Sequence, residues 1–426
     1  MEEKKLIKNC LQFIEKSTCA YTCIKEIQKI LKENNFIEYL EESTWKKTTN
    51  KFYITRNEGS IIAIEMPKNK PSALLIITTH CDTPSLELKP NGTNIKENYL
   101  KHNVMPYGGL LNYGWLDHPL ALAGKIITMK KNQIKSIIID TQKPTLIIPS
   151  VAIHQNEKAN TNLDLNSQTD LQPILALSTQ KEDFKKILKK YTKDSIIDYD
   201  LYAYNCSKPA LIGLNEELLL SPRIDNLTSV YASLESFLNS TSDKIKIFCS
   251  FNHEEIGNLT QEGADSNFLM DTIKRICALN NMDYVTSLSS SMIISSDNTH
   301  ALHPNHEEYA DDTGAPILGK GFALIKESLT TTNALSSSII KTICKKKKIK
   351  FQDATTKNDL SGGSTLSSIS LSHVATLSAD IGIPQLAMHS SIETCSTKDI
   401  IELYKFMKAF YETKMDIKKE NIIFYD

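Results

Sequence analysis

Five short segments of this chain carry side chains able to bind a metal ion or move a proton: His80-Cys81-Asp82, Arg223-Ile224-Asp225-Asn226, His253-Glu254-Glu255, Ser296-Asp297 and Met388-His389. In the first, residues i and i+2 project from one face of an extended segment, so Asp82 can take the second ring N–H of His80 and fix its tautomer. A structural His–Asp pair is the competing and more frequent explanation. Asp225 can bridge two cations through its two oxygens; the alternative is a salt bridge between Arg223 and its neighbours. Glu254 and Glu255 are adjacent carboxylates after an apolar run, and they repel each other. A metal ion relieves that repulsion by taking one as ligand, and the other can then accept a proton from an activated water. Asp297 and His389 are ligand types at the ends of strand-like runs, although an isolated histidine at 389 is more often a core residue. His300, His303 and His306 are assigned to supporting or packing roles, because the ligand set closes without them.

Together the segments make a set. Two imidazoles (His80, His389) and three carboxylates (Asp225, Glu255, Asp297), with one carboxylate shared, give each of two zinc ions three protein ligands. A bridging water completes both shells, and catalytic zinc sites keep such an open position. A metal pair about 3.5–4 Å apart activates water and clamps both reacting oxygens. Manganese or cobalt suits the same ligands, since selectivity follows geometry and supply.

The elements that position these residues read as an α/β fold. Each segment follows a strand-like run, and open α/β sheets place their sites at the C-terminal ends of strands. The first forty residues read as two helices, with Leu6, Cys10, Phe13 and Ile14 on one face and Ile24, Ile27, Ile30 and Leu31 on another. Alternation over 51–55 and 61–64, around a turn at Asn57-Glu58-Gly59, predicts a β-hairpin. Residues 73–78 read as a buried strand. Strands are expected at 244–251, 291–295, 350–353 and 384–387, and helices at 269–278, 337–346 and 365–381. Between them, residues 91–213 change texture: short strand candidates at 125–129, 136–139 and 145–148 alternate with polar turns. The expected architecture is a mixed sheet with helices on both faces, formed by residues 1–90 and 214–426. A β-rich domain is expected as an insertion at 91–213.

Bulk properties exclude several classes. A chain of 426 residues exceeds the roughly 250–300 at which a single core stops growing. A net charge of -1, with the cations nearly all lysine, offers no field for nucleic acid or an anionic membrane. No apolar run approaches the length of about 18–20 residues that spans a bilayer. Met-Glu-Glu-Lys-Lys and the polar-broken stretch behind it read as neither signal nor transit peptide. Nine scattered cysteines point to reduced thiols and a cytoplasmic location. Cys19 and Cys23 have no second pair at zinc-finger spacing and read as packing residues. No Gly-rich phosphate loop follows a strand.

The sequence resembles the aspartyl aminopeptidase / vacuolar aminopeptidase I family of dinuclear zinc metallopeptidases. The likeness runs over essentially the whole chain, from near Phe13 through Phe52-Tyr53-Ile54-Thr55-Arg56-Asn57, His80-Cys81-Asp82, Tyr107-Gly108-Gly109 and Trp115-Leu116-Asp117. It continues through Ile148-Pro149-Ser150-Val151-Ala152-Ile153-His154, Arg223-Ile224-Asp225-Asn226, Glu254-Glu255-Ile256-Gly257, Ser296-Asp297, His303-Pro304 and Pro384-Gln385-Leu386-Ala387-Met388-His389-Ser390. The resemblance implies an aminopeptidase in which Asp225 bridges two metals. His80 and Asp297 complete one site, and Glu255 and His389 the other. Glu254 is implied as the general base and Asp82 as the residue that orients His80. His154 would reach the active site of a neighbouring subunit and steady the oxyanion. The implied assembly is a homo-oligomer, commonly a tetrahedral dodecamer, with inserted domains pairing subunits and peptides as substrates.

The chain departs from the family in three places. Ser361-Gly362, before Gly363-Ser364-Thr365, replaces a Pro-Cys pair, and Ser17-Thr18-Cys19-Ala20-Tyr21-Thr22 replaces a Ser-Pro-x-Pro-Phe-His type segment. The substrate-facing stretch runs Lys320-Gly321-Phe322-Ala323-Leu324-Ile325-Lys326 and then Leu329-Thr330, without the family's Arg-Tyr pair. Lys326 is the cation available to an N-terminal Asp or Glu; a neutral or apolar N-terminal residue is the alternative. Another dinuclear-zinc amide hydrolase, an N-deacylase or carboxypeptidase, needs the same metal core. A non-catalytic scaffold predicts loss of a ligand or of Glu254, and none is lost.

Overall fold

The computed structural model describes residues 2–360, 369, 372–418 and 421–425. At its centre is a nine-stranded mixed sheet, in spatial order Ile37–Glu38, Lys51–Arg56, Ser60–Glu65, Ile245–Phe251, Leu74–His80, Met292–Ser296, Leu377–Gly382, Phe322–Ile325 and Phe351–Ala354. Four of these, Ile245–Phe251 through Leu377–Gly382, lie side by side and parallel. Every residue of Leu74–His80 and Ile245–Phe251 is buried, as parallel strands covered on both faces require.

Alternation along the strands divides the core in two. Leu75 and Ile77 face a cluster built with Glu2–Lys16, Ala20–Glu33, Ile224–Leu238, Ala334–Lys347 and Thr397–Glu412. Leu74 and Ile76 face the opposite cluster, capped by Phe268–Leu279 through Phe268, Ile273 and Ile276. Helices therefore cover both faces, as expected.

A five-stranded sheet (Ala210–Ile212, Leu218–Ser221, Glu393–Ser396, Pro384–Leu386, Thr299–His300) stands beside the large one. A further six-stranded antiparallel sheet is ordered Gln133–Asp140, Leu120–Lys130, Ser195–Asn205, Ser85–Lys96, Tyr99–Tyr107 and Ile174–Leu177. It has its own core, including Leu86, Val104, Trp115, Leu122, Phe184 and Leu201. Its first strand starts at Ser85, ahead of residue 91, and its last residue is Asn205. Ala210–Ile212 already pairs with Leu218–Ser221 in the small sheet.

The two N-terminal helices and the hairpin Lys51–Arg56/Ser60–Glu65 form as the sequence predicts. Two expectations fail. Of the helix expected over 365–381, residues 365–368, 370 and 371 lie outside the described residues, as does the Ser361-Gly362-Gly363-Ser364-Thr365 stretch. The last five residues of that expected helix, from Leu377, belong to strand Leu377–Gly382, not to a helix. Its apolar residues, Leu377, Ala379 and Ile381, fit a period of two as well as a helical stripe, and pairing with Met292–Ser296 decides between them. The strand expected at 145–148 is reduced to two isolated bridges, Leu120–Leu146 and Ile147–Ile174. All nine cysteines are free, Cys19 and Cys23 both in buried positions.

Candidate metal centre

The sheet brings three of the five segments to one edge. His80 is the last residue of Leu74–His80, Glu254 and Glu255 follow Ile245–Phe251, and Asp297 follows Met292–Ser296. These strands are parallel neighbours in register, Phe251 opposite His80 and Ser295 opposite Thr78, so their C-terminal ends emerge together. Asp225 comes from the small sheet, at the start of helix Ile224–Leu238 beyond Leu218–Ser221, and His389 follows Pro384–Leu386.

The side chains converge. His80 Nε2 lies 3.1 Å from Asp297 Oδ1 and 3.5 Å from Asp225 Oδ1. His389 Nε2 lies 3.5 Å from Asp225 Oδ2 and 3.5 Å from Glu255 Oε2. Each Asp225 oxygen thus faces a different imidazole. Among the described residues, three metal-capable groups have ligand atoms within 4.8 Å of one another: His80 with Asp225 and Asp297, His80 with Glu254 and Glu255, and Asp225 with Glu255 and His389.

The electrostatics fit a cation. Burial pushes the Glu254 carboxyl up to about 8, reinforced by the charges of Asp297, Asp82 and Asp225. Burial, with Asp225 and Glu254 nearby, also holds Glu255 well above the carboxylate range, and burial with Asp225 raises Asp297. Burial opposes a proton on His80 and on His389. The carboxylates around them outweigh it, holding His80 well above its usual value and His389 at about 10. Asp225 goes the other way, pulled down by the two histidines against its burial. Asp225 Oδ1 and Glu255 Oε1 are buried with no hydrogen-bond partner among the described residues. Buried carboxylate oxygens left in that state are costly unless a cation takes them. The nitrogen and oxygen donors present are those zinc accepts.

A family model described as "Aminopeptidase I zinc metalloprotease (M18)" matches residues 13–411. This chain belongs to the M18 aminopeptidase family. It is a zinc metallo-aminopeptidase, which decides against the deacylase, carboxypeptidase and scaffold readings. A Clostridium novyi (strain NT) protein named "Probable M18 family aminopeptidase 2" is 37% identical over 426 aligned residues, 96% of this chain and 98% of its own. Ape4, in a cryo-EM structure of its complex with Nbr1, superposes with a TM-score of 0.91 at 27% identity, over 96% of this chain and 86% of that one. The S. cerevisiae mApe1 dodecamer shares the fold, with a TM-score of 0.84 at 24% identity over 96% of this chain and 97% of that one.

In this M18 chain the residues behind the cluster are as informative as the cluster. His80 Nδ1 lies 3.1 Å from the Asp82 carbonyl and 3.4 Å from the Asp82 carboxylate. The Asp82 carboxylate itself accepts the main-chain N–H groups of Glu254 (3.2 Å) and Glu255 (3.1 Å) and the Tyr107 hydroxyl (2.8 Å). It therefore aims the Glu254-Glu255 turn as well as the histidine. His389 Nδ1 donates to Gly109 O at 2.8 Å, which leaves Nε2 for the cluster. Gly108 has φ +79°, and a Cβ there would press on Glu255 at 3.2 Å, which favours glycine at that position. Among the described residues Arg223 has no salt-bridge partner; its buried guanidinium donates to the carbonyls of Ile14, Ser17 and Asn205.

Not every candidate joins the cluster. His154 lies in an exposed loop and Lys326 is exposed just after Phe322–Ile325, both outside the metal-capable groups. His300, His303 and His306 are surface residues, with His306 bonded to Glu308 at 3.1 Å, so the packing role expected for them does not arise. Glu393, Tyr107 and Gly109 carry contacts that residue type alone does not announce.

Proposed function

We propose that this M18 chain removes the N-terminal residue of peptides with two zinc ions per subunit. His80 and Asp297 would hold one, Glu255 and His389 the other, and Asp225 both. The observation that carries this reading is Asp225, a buried carboxylate whose two oxygens each face one imidazole at 3.5 Å. Zinc, when bound, supplies a Lewis acid for the scissile carbonyl and an activated water. Glu254 takes the proton of that water and delivers it to the leaving amine. In the metal-free protein burial and the surrounding carboxylates raise the pKa of that carboxyl to about 8. Asp82 fixes both partners by holding His80 Nδ1 and the main chain of Glu254.

His154, contributed by a neighbouring subunit, donates to the developing oxyanion. Exposed apolar residues on the same loop, Val151 and Ile153, support its covering by another chain. Residues 91–213 then act as the oligomerisation domain of a homo-oligomer, and the dodecameric mApe1 assembly that shares this fold supports a dodecamer. Nine free cysteines support a reducing, cytoplasmic setting. Lys326 meets an acidic N-terminal side chain, giving a preference for Asp and Glu.

The deciding experiment is hydrolysis of Asp, Glu, Leu, Ala and Lys anilides after chelation, with and without added zinc. Zinc-dependent cleavage of the Asp and Glu substrates is expected. Zinc-dependent cleavage of neutral substrates alone overturns the role of Lys326 and leaves the mechanism. In Glu254→Gln, kcat should fall by about 10²–10⁴ with zinc content unchanged. Wild-type turnover in that variant with both ions bound refutes the general-base assignment.

A further inference from the structure

Glu393 is buried at the first position of strand Glu393–Ser396, the central member of the small sheet around the cluster. On one side that strand pairs with Leu218–Ser221, with Ser221 opposite Glu393; the chain then runs on to Asp225. On the other side it pairs with Pro384–Leu386, which leads into His389. Glu393 thus stands between the two loops that deliver these residues.

Its carboxylate ties both loops down. Oε2 accepts the main-chain N–H of Asp225 at 3.0 Å. Oε1 accepts the main-chain N–H of His389 at 2.9 Å and the side-chain amide of Gln385 at 3.1 Å. Gln385 is held in turn, its Oε1 accepting Asn298 Nδ2 at 2.7 Å. Three N–H donors on two oxygens leave a carboxylate as the matching side chain, because an amide would set its NH2 against at least one of them. His389 adopts φ +66°, a conformation a non-glycine residue holds only when its surroundings impose it, and the Glu393 bond to its N–H is one such constraint.

We propose that Glu393 is the positioning residue for one of the two metal sites: it sets the main-chain separation of Asp225 and His389 and so tunes affinity for the ion those two share with Glu255. This rests on the two-ion reading above. Among the described residues Glu393 belongs to none of the metal-capable groups. Its effect falls chiefly on the His389 side, because His80 and Asp297 are fixed by the neighbouring strands of the large sheet.

The test is zinc titration of metal-free protein against a chromophoric chelator, on wild type, Glu393→Gln and Asp399→Asn. Asp399 is a buried carboxylate that also accepts two main-chain N–H groups, those of Gly319 and Gly321, but serves no cluster residue. Wild type and Asp399→Asn should each bind two equivalents tightly. In Glu393→Gln one equivalent should weaken by about 10–100-fold and the other, which shares Asp225 but keeps His80 and Asp297, by clearly less, with turnover restored at saturating zinc. Should Glu393→Gln fail to fold, Glu393→Asp keeps the charge, withdraws it by one methylene and should show the same selective loss. Two equivalents bound with wild-type affinities in the folded variant overturn the proposal, as does an equal loss at both sites. A single equivalent in wild type overturns the two-ion reading itself, a distinguishable failure.

Discussion

The two halves of the proposed metal centre are held by different means. His80 and Asp297 sit at the ends of adjacent parallel strands, Leu74–His80 and Met292–Ser296, whose ladder bonds fix their separation. Glu255 and His389 come from turns and owe their places to side-chain and carbonyl partners: Asp82 for Glu255, Gly109, Trp115 and Glu393 for His389. Gly109 and Trp115 lie just beyond Tyr99–Tyr107, in the segment that leaves the six-stranded sheet. One half therefore rests on the large sheet, whereas His389 in the other depends on contacts with a segment of the six-stranded sheet's domain. A site finished by such contacts is the easier half to loosen.

The comparison can be broken in graded ways. Asp225→Asn removes the charge both halves share. It should cost several kcal/mol of transition-state stabilisation, about 10³-fold or more in kcat/KM, with both zinc equivalents weakened in a chelator titration. Loss at one site alone would contradict a shared carboxylate. Tyr107→Phe removes one of the donors to Asp82, which serves both halves, so kcat should fall about tenfold with no selectivity between the two equivalents. Trp115→Phe removes the indole N–H that reaches the His389 carbonyl at 3.3 Å. It should weaken only the His389 equivalent, by about fivefold.

The metal-free protein should be pH-sensitive where the loaded one is not. Glu254, raised from 4.5 to about 8, together with Glu255 and Asp297, holds protons in the folded state that the unfolded chain has already lost. Folding stability of the metal-free form therefore falls as pH rises from about 4.5 through about 8. The raised His389 adds a loss in the same direction, from its unfolded value of 6.5 up to about 10. Thermal melts in chelator should drop by more than about 3 °C between pH 6 and 8.5, and excess zinc should flatten the trend. Equal slopes with and without zinc would remove the cluster as its cause.

Much of this was legible in the sequence. The residues that converge are those whose types and neighbours announced them, because imidazole and carboxylate ligands at strand ends have a local signature. The buried parallel strands were legible for the same reason, as short apolar runs. Leu377–Gly382 is not legible as a strand because its apolar spacing fits two periods, and only its partner strands choose one. Glu393 escaped notice because a single glutamate in a strand has no pattern. Its partners lie 168 residues away at Asp225 and 4 away at His389, and both bonds are to main-chain N–H groups that every residue but proline carries.

The sequence by itself determined the chemistry available: two imidazoles and three carboxylates able to bind metal, and a further glutamate beside one of them able to carry a proton. Residue type fixes which atoms can ligate a cation, and type survives in one dimension. Only the tertiary structure decided which atoms face each other, and that Gly109 and Glu393 aim His389. Those contacts use backbone groups, which carry no residue signature, and they join segments that meet only when three sheets pack together.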